Sequence, residues 1–483
     1  MTPDQFREAG HHLIDWIADV RSGIEALPVL AQVEPGEVRS RFEPSPPEGT
    51  TSFDELLAEL TSVILPGVTQ VQHPMHFGWF PSNASLSSVL GDIASSGIGS
   101  LGISWESSPA LTEVEEVVCD WMRQLVGLSD RWVGTINDTA STSALVALLV
   151  ARERASDLSQ NSTGVQGIAN PLVVYTTSEA HSSVAKAAVL AGYGWSNIRS
   201  VDIDPLTRAM IPERLDEAMR ADRAAGRRPA AVVATVGSTS TTAIDPVASI
   251  VEVAKQHTAF VHVDAALAGS AMLLPDMRHL WDGVEGADSI TWNPHKWMGT
   301  ILDTSLFYVR DPEFLQRVMS TNPSYLQSPD NVTVTQYRDW GIPLGRRFRA
   351  LKILFQLRLD GIDAIRTRVR RDLENARWLA SRIEQAPAWE LCAPVTLQTV
   401  CVRHRPPGVE GDDLDRHTLA WVRGLNRSGA ALLTPSRLDD RWMARVSVGV
   451  ESTERVHVER LWAIMQQMAS SLVPSDSEIR PPT

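Results

Sequence analysis

The chain is organised around Ile290-Thr291-Trp292-Asn293-Pro294-His295-Lys296-Trp297, in which a short apolar run leads directly into a lysine. Proline has no backbone N–H to donate, so Pro294 ends the strand-like run and places the next residues in a turn. Open α/β sheets bind their ligands at such strand ends. The aromatic neighbours partly desolvate the amine of Lys296, which favours its neutral, nucleophilic form. A surface lysine in a loop is the simpler interpretation of this motif alone. Other parts of the sequence are needed to choose between this interpretation and a nucleophilic lysine.

The bulk composition is that of a soluble globular protein. The chain has 483 residues, of which 43% are hydrophobic and 21% charged. This length is enough for a large core and more than one structural domain. The net charge of −14 argues against a protein that binds duplex nucleic acid, which would need a basic face. No run of about 18 apolar residues occurs, so we expect no membrane span.

The cysteines are few and scattered, at positions 119, 392 and 401. Such a set predicts neither a disulfide framework nor a zinc cage, so we expect no metal site. Asp4 and Glu8 lie among the apolar residues of the N-terminus, which argues against a signal peptide. A reducing, cytoplasmic location fits these features best.

Two capping boxes predict helices near the N-terminus. Thr2-Pro3-Asp4-Gln5 and Ser52-Phe53-Asp54-Glu55 each precede apolar residues at helical spacing. The intervening residues 28–51 are rich in proline, glutamate and glycine, and are predicted to form an extended linker. Because the apolar faces of these helices have no evident partner nearby, we predict that residues 1–84 form a helical dimerisation segment.

Strand-like and helical runs alternate through the middle of the chain. This alternation predicts a mainly parallel sheet in a large α/β domain, residues 85–345. The strands lack polar alternation, which fits a sheet buried on both faces. The predicted strands are Trp132–Ile136, Leu172–Thr176, Ala230–Thr235 and Ala259–Val263. The predicted helices are Ser141–Arg154, Ser182–Leu190 and Val247–Lys255.

The character of the sequence changes again near Gly345. An arginine-rich helix is predicted over Phe348–Leu359, and a second helix continues through Ile383. Strands are predicted over Leu391–Val402 and Arg445–Val450. Residues 346–483 are therefore predicted to form a small α+β domain.

Polar residues follow several of the predicted strands. Thr139-Ala140-Ser141-Thr142-Ser143 precedes an apolar helix, and hydroxyls with free N–H groups at a helix start suit phosphate. An ordinary helix cap would have the same sequence. His181 follows the strand Leu172–Thr176, where an imidazole could stack on a flat ring or transfer protons. A histidine satisfied in the core is the alternative.

Asp264 ends another buried strand. A buried carboxylate is costly without a cationic partner, and a protonated pyridine nitrogen would be such a partner. Ala265, Ala266 and Gly269 are small and leave room for a ring against the backbone. With Lys296 following 32 residues after Asp264, these features together match the requirements of pyridoxal phosphate.

The loop His73–Asn83 is dense in aromatic residues and histidines. Trp79, Phe80, Pro81 and Ser82 would give a flat apolar surface with one hydroxyl, which suits the wall of a substrate pocket. A buried irregular segment of the core explains the same residues equally well.

Several motifs, in order, resemble the group II pyridoxal-phosphate decarboxylases, and most of all the aromatic-L-amino-acid decarboxylase branch. The resemblance extends from about Phe6 to Trp462. It is carried by His73-Pro74, Phe80-Pro81-Ser82-Asn83, Ser107-Ser108-Pro109-Ala110, Thr112-Glu113, Ala180-His181-Ser182-Ser183, Val263-Asp264-Ala265-Ala266, Asn293-Pro294-His295-Lys296-Trp297 and Pro343-Leu344-Gly345-Arg346-Arg347-Phe348.

The resemblance implies a fold-type-I enzyme with a mainly parallel seven-stranded sheet, and a homodimer with shared active sites. Lys296 would form an aldimine with pyridoxal 5'-phosphate, Asp264 would pair with the pyridine nitrogen and His181 would stack on the ring. Tyr325, on a loop of about residues 320–335, would donate the proton to the substrate. The remaining cofactor contacts would come from Ala140, Ser141, Thr239, Ala266, Asn293 and His295.

The resemblance also bears on the substrate. Trp79, Phe80 and Pro81 would line the side-chain pocket, and Leu101 and Ile103 would reach across the dimer. Trp79 and Ile103 stand where animal aromatic decarboxylases have tyrosine and phenylalanine, and Gly345 leaves space that slightly favours indoles.

The predicted reaction is decarboxylation of an L-amino acid to the amine and CO2. An aromatic substrate is favoured: tryptophan, phenylalanine, tyrosine or Dopa. The alternatives are an aldehyde-forming decarboxylation-deamination, a non-aromatic substrate, and a non-catalytic protein that only binds the cofactor. Aldehyde-forming relatives often carry phenylalanine at the position of Tyr325, which argues against the first of these.

Overall fold

A seven-stranded sheet, in the order β1-β7-β6-β5-β4-β2-β3, forms the larger part of this computed structural model. The structure describes residues 1–165, 169–321 and 334–472. The strands of this sheet are β1 (Val133–Asn137), β2 (Leu172–Thr176), β3 (Ile198–Ser200), β4 (Arg228–Thr235), β5 (Phe260–Asp264), β6 (Ser289–Trp292) and β7 (Ser305–Val309). A second sheet contains β8 (Trp389–Leu391), β9 (Thr399–His404), β10 (Thr434–Leu438) and β11 (Arg441–Ser447).

Fifteen α-helices lie among the described residues. They are α1 (Pro3–Ser22), α2 (Glu37–Ser40), α3 (Phe53–Glu59), α4 (Leu86–Ile98), α5 (Pro109–Leu125), α6 (Ala140–Ala155), α7 (Ser159–Thr163), α8 (Ser182–Leu190), α9 (Pro212–Ala224), α10 (Val247–Gln256), α11 (Pro312–Met319), α12 (Ala350–Leu359), α13 (Ile362–Glu384), α14 (Gly411–Arg427) and α15 (Arg455–Ser470). Within the described ranges, no helix is both long and apolar enough to cross a membrane.

The large sheet is mainly parallel, as the sequence predicts. β3, β2, β4, β5 and β6 pair in parallel, whereas β7 runs antiparallel to both β1 and β6. Every residue of β2, β5 and β7 is buried, which explains why these strands show no polar alternation. Parallel pairing of β5 with β6 brings the carboxyl ends of these two strands to the same edge, where Asp264 lies opposite Thr291.

Several sequence predictions differ from the structure. Leu391–Val402 is two strands, β8 and β9, because Pro394 lies between them and cannot donate to a sheet. The predicted extended linker, residues 28–51, contains the short helix α2. Strands β3, β7 and β10 lie in stretches for which we predicted no strand, and the strand predicted over Arg445–Val450 is β11, Arg441–Ser447.

The predicted N-terminal capping boxes are confirmed. The hydroxyl of Thr2 accepts from the backbone N–H of Gln5 at 3.2 Å, and the side chain of Gln5 accepts from Thr2 at 2.8 Å. Ser52 and Glu55 make the same reciprocal pair before α3. Helix α1 fully buries none of its residues within this chain. Phe6 is 65% and Ile14 41% exposed, whereas Leu13, Ile17 and Val20 are half-buried.

The chain divides into two compact units. The first comprises the described parts of Met1–Pro81, Arg377–Cys392 and Cys401–Thr483. The second comprises the described parts of Ser82–Ala376 and Ala393–Val400. The three-part division at residues 84 and 345 stays a prediction.

Candidate active site

Lys296 lies in a tight turn directly after β6. The turn, Pro294–Met298, has the hydrogen-bond pattern of a π-helix, but Lys296 has φ −95° and ψ −111°, outside the helical region. Its backbone N–H donates to the carbonyl of Asn293 at 3.0 Å, and the side-chain amide of Asn83 donates to its carbonyl at 3.3 Å. The predicted turn at the strand's end is therefore present, and Lys296 is only half-buried in it.

Asp264 and His181 lie close enough to Lys296 to share its electrostatic environment. Asp264 ends β5, is buried, and accepts from the N–H of Ala266 at 3.0 Å. His181 caps α8, and its Nδ1 lies 3.2 Å from the N–H of Ser183. Desolvation and the nearby ammonium of Lys296 lower the pKa of His181, whereas the carboxylate of Asp264 raises it. The structure thus brings together three predicted residues from the ends of three strands.

Helix α6 begins at the same edge of the sheet, after β1. Thr139 precedes it in extended conformation, and its side chain makes no capping hydrogen bond to the helix. Ala140 is half-buried and Ser141 is exposed at this helix start. The first N–H groups of a helix have no partner within the helix and attract anions, so this end suits the predicted phosphate.

Asn293 precedes the turn, His295 lies within it, and both are buried. Within the part of the chain that the structure covers, the side-chain oxygen of Asn293 has no hydrogen-bond partner. Nδ1 of His295 accepts from the N–H of Thr304 at 3.0 Å. Burial, and then the ammonium of Lys296, lower the pKa of His295 to about 4. Because Nδ1 accepts, the neutral ring carries its proton on Nε2, which can donate to a ligand.

Thr239 lies half-buried in the loop after β4. Gly237 lets the backbone of this loop pass close to Ala268. Its φ is +88°, which favours glycine, and a Cβ there would lie 2.9 Å from Ala268. Glu179 ties the loop to the segment that carries His181, because it accepts from Thr241 at 3.3 Å and pairs with Arg208 at 2.9 Å. Sequence reasoning missed Glu179 and Arg208, whose pairing spans 29 residues and leaves no local pattern.

The predicted substrate loop, His73–Asn83, belongs to the first compact unit as far as Pro81. Trp79 is 53% exposed and has φ +50°. Its carbonyl accepts from Nη1 of Arg445 at 2.7 Å, and the guanidinium of Arg445 lies 4.2 Å from the ring centre of Phe80. Pro81 in this unit is buried, and Ser82, the first residue of the other unit, is half-buried.

Arg445 is a candidate that sequence reasoning treated only as a strand residue. It is buried, and burial lowers its pKa to about 10. Among the described residues, its Nε and Nη2 atoms have no hydrogen-bond partner. An arginine between the apolar residues of a strand was the signal available in the sequence.

Leu101, Ile103 and Gly345 come together in the second unit. The N–H of Gly102 donates to the carbonyl of Arg346 at 3.1 Å, and a Cβ on Gly345 would lie 3.5 Å from Leu101. Leu101 is 53% exposed and Gly345 is also exposed, so both are available to a neighbouring molecule. Tyr325, the predicted proton donor, lies outside the described residues.

Comparison with known proteins agrees with this arrangement. Residues 35–405 match the family described as "Pyridoxal-dependent decarboxylase conserved domain". The chain is 37% identical to phenylacetaldehyde synthase of Arabidopsis thaliana, over 98% of this chain and 97% of that protein. It is 36% identical to tryptophan decarboxylase 2 of Oryza sativa subsp. japonica, over 98% and 96% respectively.

Solved structures are also similar. The crystal structure of Oryza sativa TDC with PLP and tryptamine superposes with a TM-score of 0.94 at 35% identity, covering 98% of this chain and 99% of that chain. The structure of Rhodiola rosea 4-hydroxyphenylacetaldehyde synthase gives a TM-score of 0.90 at 29% identity, with the same two coverages.

Proposed function

Because this chain belongs to the pyridoxal-dependent decarboxylase family, we propose that it converts an aromatic L-amino acid to the corresponding amine and CO2. The observation that carries the proposal is the convergence of Lys296, Asp264 and His181 at one edge of the sheet. Tryptophan, phenylalanine, tyrosine and Dopa are the candidate substrates. The similarity to tryptophan decarboxylase 2 and to the TDC structure supports this class.

The residues at the sheet edge fit pyridoxal 5'-phosphate. Within the described ranges, the buried carboxylate of Asp264 has no salt bridge to a side chain, so a cationic ring nitrogen would supply the missing partner. The unpartnered oxygen of Asn293, the Nε2 donor of His295 and the start of α6 at Ala140 and Ser141 provide polar groups for the rest of the cofactor. Thr239 and Ala266 complete the proposed binding set.

Each protein group has a distinct part in the proposed reaction. Bound pyridoxal phosphate supplies an electron sink for the electron pair left at Cα when CO2 departs. Lys296 would hold the cofactor through its amine, and Asp264 would stabilise the positive charge on the ring nitrogen. His181, whose pKa is lowered, is neutral at neutral pH and can stack on the ring without adding a competing cation. Tyr325 would deliver a proton to Cα of the product.

The proposed substrate pocket is apolar and flat. Trp79, Phe80, Pro81 and Ser82 are proposed to line it from one subunit, and Leu101 and Ile103 from the other. Gly345 has no side chain next to Leu101, so the space beside it stays open. This openness favours a large ring such as indole over a phenyl ring.

A second candidate reaction is aldehyde formation, which the similarity to phenylacetaldehyde synthase favours. That reaction consumes one O2 and one water per amino acid and releases aldehyde, CO2, ammonia and H2O2. The tyrosine at position 325 favours the amine instead, since it offers a proton donor for Cα. Both reactions would use the same proposed residues. They differ in whether the side chain at position 325 protonates Cα.

We further propose a cytoplasmic homodimer with shared active sites. The exposed apolar residues of α1 and α4 support a subunit interface; they include Phe6, Ile14, Leu86, Leu90, Ile93 and Ile98. The three free cysteines, Cys119, Cys392 and Cys401, support a reducing compartment.

One assay tests the proposed reaction directly. Purified protein with pyridoxal phosphate is incubated with each of the twenty amino acids and Dopa, and CO2, amine, aldehyde and H2O2 are measured. We expect stoichiometric amine and CO2 from an aromatic substrate, and loss of both with Lys296→Ala. Aldehyde with equimolar H2O2 would favour the second reaction, and CO2 release that persists in Lys296→Ala would overturn the proposed role of this lysine.

A further inference from the structure

The residue after the proposed cofactor lysine is held by a buried carboxylate. The side chain of Trp297 is fully buried, and its indole Nε1 donates to Oδ2 of Asp372 at 2.9 Å. Asp372 lies on α13 and is itself inaccessible to solvent. Its other oxygen, Oδ1, lies 3.2 Å from the guanidinium of Arg371. A buried carboxylate therefore contacts the turn one residue away from Lys296.

Helices α12 and α13 also hold the far end of this turn. The carbonyl of Met298 accepts from Nε2 of Gln356 at 3.1 Å and from the guanidinium of Arg368. Thr300 donates to Oε1 of Gln356 at 2.6 Å. Because Lys296 has a non-helical backbone inside the turn, these neighbouring anchors fix the direction in which its side chain leaves the chain.

We propose that Asp372 is a positioning residue for Lys296 and acts through the indole of Trp297; this inference rests on the proposed function of Lys296. A hydrogen bond from an N–H to a buried carboxylate is stronger than one to a neutral acceptor. It fixes the plane of the indole, and with it the peptide that joins Trp297 to Lys296. A shift of about 1 Å in a reacting group can cost roughly 10²-fold in rate, so this anchor is expected to matter for catalysis.

The charge on Asp372 is set by opposing effects. Burial raises the pKa of Asp372 to about 6, while Arg371 and Arg368 on its own helix lower it. The turn presents the indole N–H of Trp297, which also lowers the pKa. Protonation in mildly acidic solution would weaken the hydrogen bond to Trp297, so the anchor is expected to loosen as the pH falls.

Two substitutions and two matched controls test the inference. Asp372→Asn keeps the shape but removes the charge, and Trp297→Phe keeps a ring but removes the donor. Trp132 and Glu285 provide the controls, because Trp132 is equally buried and its indole donates to the carboxylate of Glu285 at 3.1 Å. Trp132→Phe and Glu285→Gln thus remove an indole–carboxylate hydrogen bond at the opposite end of the sheet, where the side chain of Glu285 is 38% exposed.

The measurements separate positioning from stability. For the Asp372 and Trp297 variants we expect a shifted pH midpoint of the visible absorbance of the bound cofactor, and a fall in kcat of about 10- to 100-fold with little change in KM. The double variant should be no worse than the worse single variant, because both break one contact. The Trp132 and Glu285 controls should lower the thermal midpoint of unfolding without moving the absorbance midpoint.

One outcome would overturn the positioning role of Asp372, and another would overturn the proposed function. If the Asp372 and Trp297 variants behave like the controls, Asp372 is not a positioning residue. If borohydride fails to fix pyridoxal phosphate onto Lys296 of the wild-type protein, as mapped by mass spectrometry, the proposed function itself is wrong. Should Asp372→Asn fail to fold, Trp297→Phe alone decides the first question.

Discussion

The hydroxyl of Tyr325 is expected to decide whether the product is an amine or an aldehyde. A positioned general acid is typically worth about 10²–10⁴-fold in rate, and this one would protonate Cα after CO2 has left. Without it, the electron-rich product stays longer in the site and has more time to react with O2. The role of Tyr325 is a prediction from the sequence, since the structure does not describe this residue.

Tyr325→Phe tests this role with a change of one oxygen atom. We expect the ratio of aldehyde to amine to rise at least 10-fold, with H2O2 appearing in step with the aldehyde. Products are quantified by chromatography and H2O2 by a peroxidase assay. Tyr308→Phe serves as a control, because Tyr308 is buried in β7 and donates to the carbonyl of Cys119. An unchanged ratio in Tyr325→Phe would rule out the proton-donor role.

Single residues were predictable where chemistry leaves a mark in the local sequence. Lys296, Asp264 and His181 each follow an apolar strand, and the structure places all three at one edge of the sheet. Asp372 and Glu179 left no such mark. The contact between Trp297 and Asp372 spans 75 residues, and only the packing of α13 against the turn creates it.

Among the elements, two histidines in the smaller sheet region form an unusual pair. Nδ1 of His404, in β9, lies 2.8 Å from Nε2 of His417, in α14, and the ring of Trp389 lies 4.7 Å from that of His404. Burial, and then His417, lower the pKa of His404 to about 4. Burial also lowers the pKa of His417. The hydrogen bond requires at least one neutral ring, so protonation of both would break it.

This pair is expected to make stability depend on pH. An unfolded histidine binds a proton near pH 6.5, whereas folded His404 binds one only near pH 4, so the unfolded state takes up more protons between these values. The contribution of neutral His404 to the free energy of unfolding is therefore complete above pH 6.5 and is lost as the pH falls towards 4. Its size is at most about 3 kcal/mol, reduced by solvent screening around the pair.

His404→Gln should flatten the change in the thermal midpoint between pH 6.5 and 4, as measured by circular dichroism. The thermal midpoint will still depend on pH to some extent, because burial also lowers the pKa of His76, His262 and His295 to about 4. His279→Gln, at an exposed position, should leave the profile as it is in the wild type. A His404→Gln profile that follows the wild type throughout would contradict this account.

Element prediction succeeded where burial on both faces made the pattern unambiguous. Strand β2 and helix α8 have the predicted bounds, Leu172–Thr176 and Ser182–Leu190. Strand β3 has only three residues, too few for a periodic signal. Strand β7 is as long and as fully buried as β2, so burial alone did not make it predictable, and its antiparallel pairing with β1 and β6 depends on residues far away in the sequence.

At the scale of the whole molecule, the shared active site can be tested with hybrid dimers. Differently tagged Lys296→Ala and Ile103→Arg subunits are co-expressed and purified through both tags. If Ile103 serves the partner's site, the hybrid contains one site with both residues intact and regains about half of the wild-type activity, although each parent homodimer is inactive.

A second hybrid provides the matched control. Lys296→Ala and Asp264→Asn affect the same site of the same subunit, because β5 and β6 are neighbours in one sheet. Their hybrid should stay inactive. Failure of the Ile103 hybrid to regain activity, with both parents still binding the cofactor, would mean that the sites are not shared.

Helix α1 contacts its own chain through partly exposed side chains, as where Nε1 of Trp16 donates to the hydroxyl of Thr61 at 2.8 Å. It has 20 residues and a complete N-terminal cap, yet none of its side chains is buried. Most of the stability of a helix in a protein comes from packing its apolar face. If α1 packs on a second subunit, its order is governed by mass action, and diluting the enzyme would melt its N-terminus before the sheet is affected. Susceptibility to a protease at this end would then report the concentration at which the subunits separate.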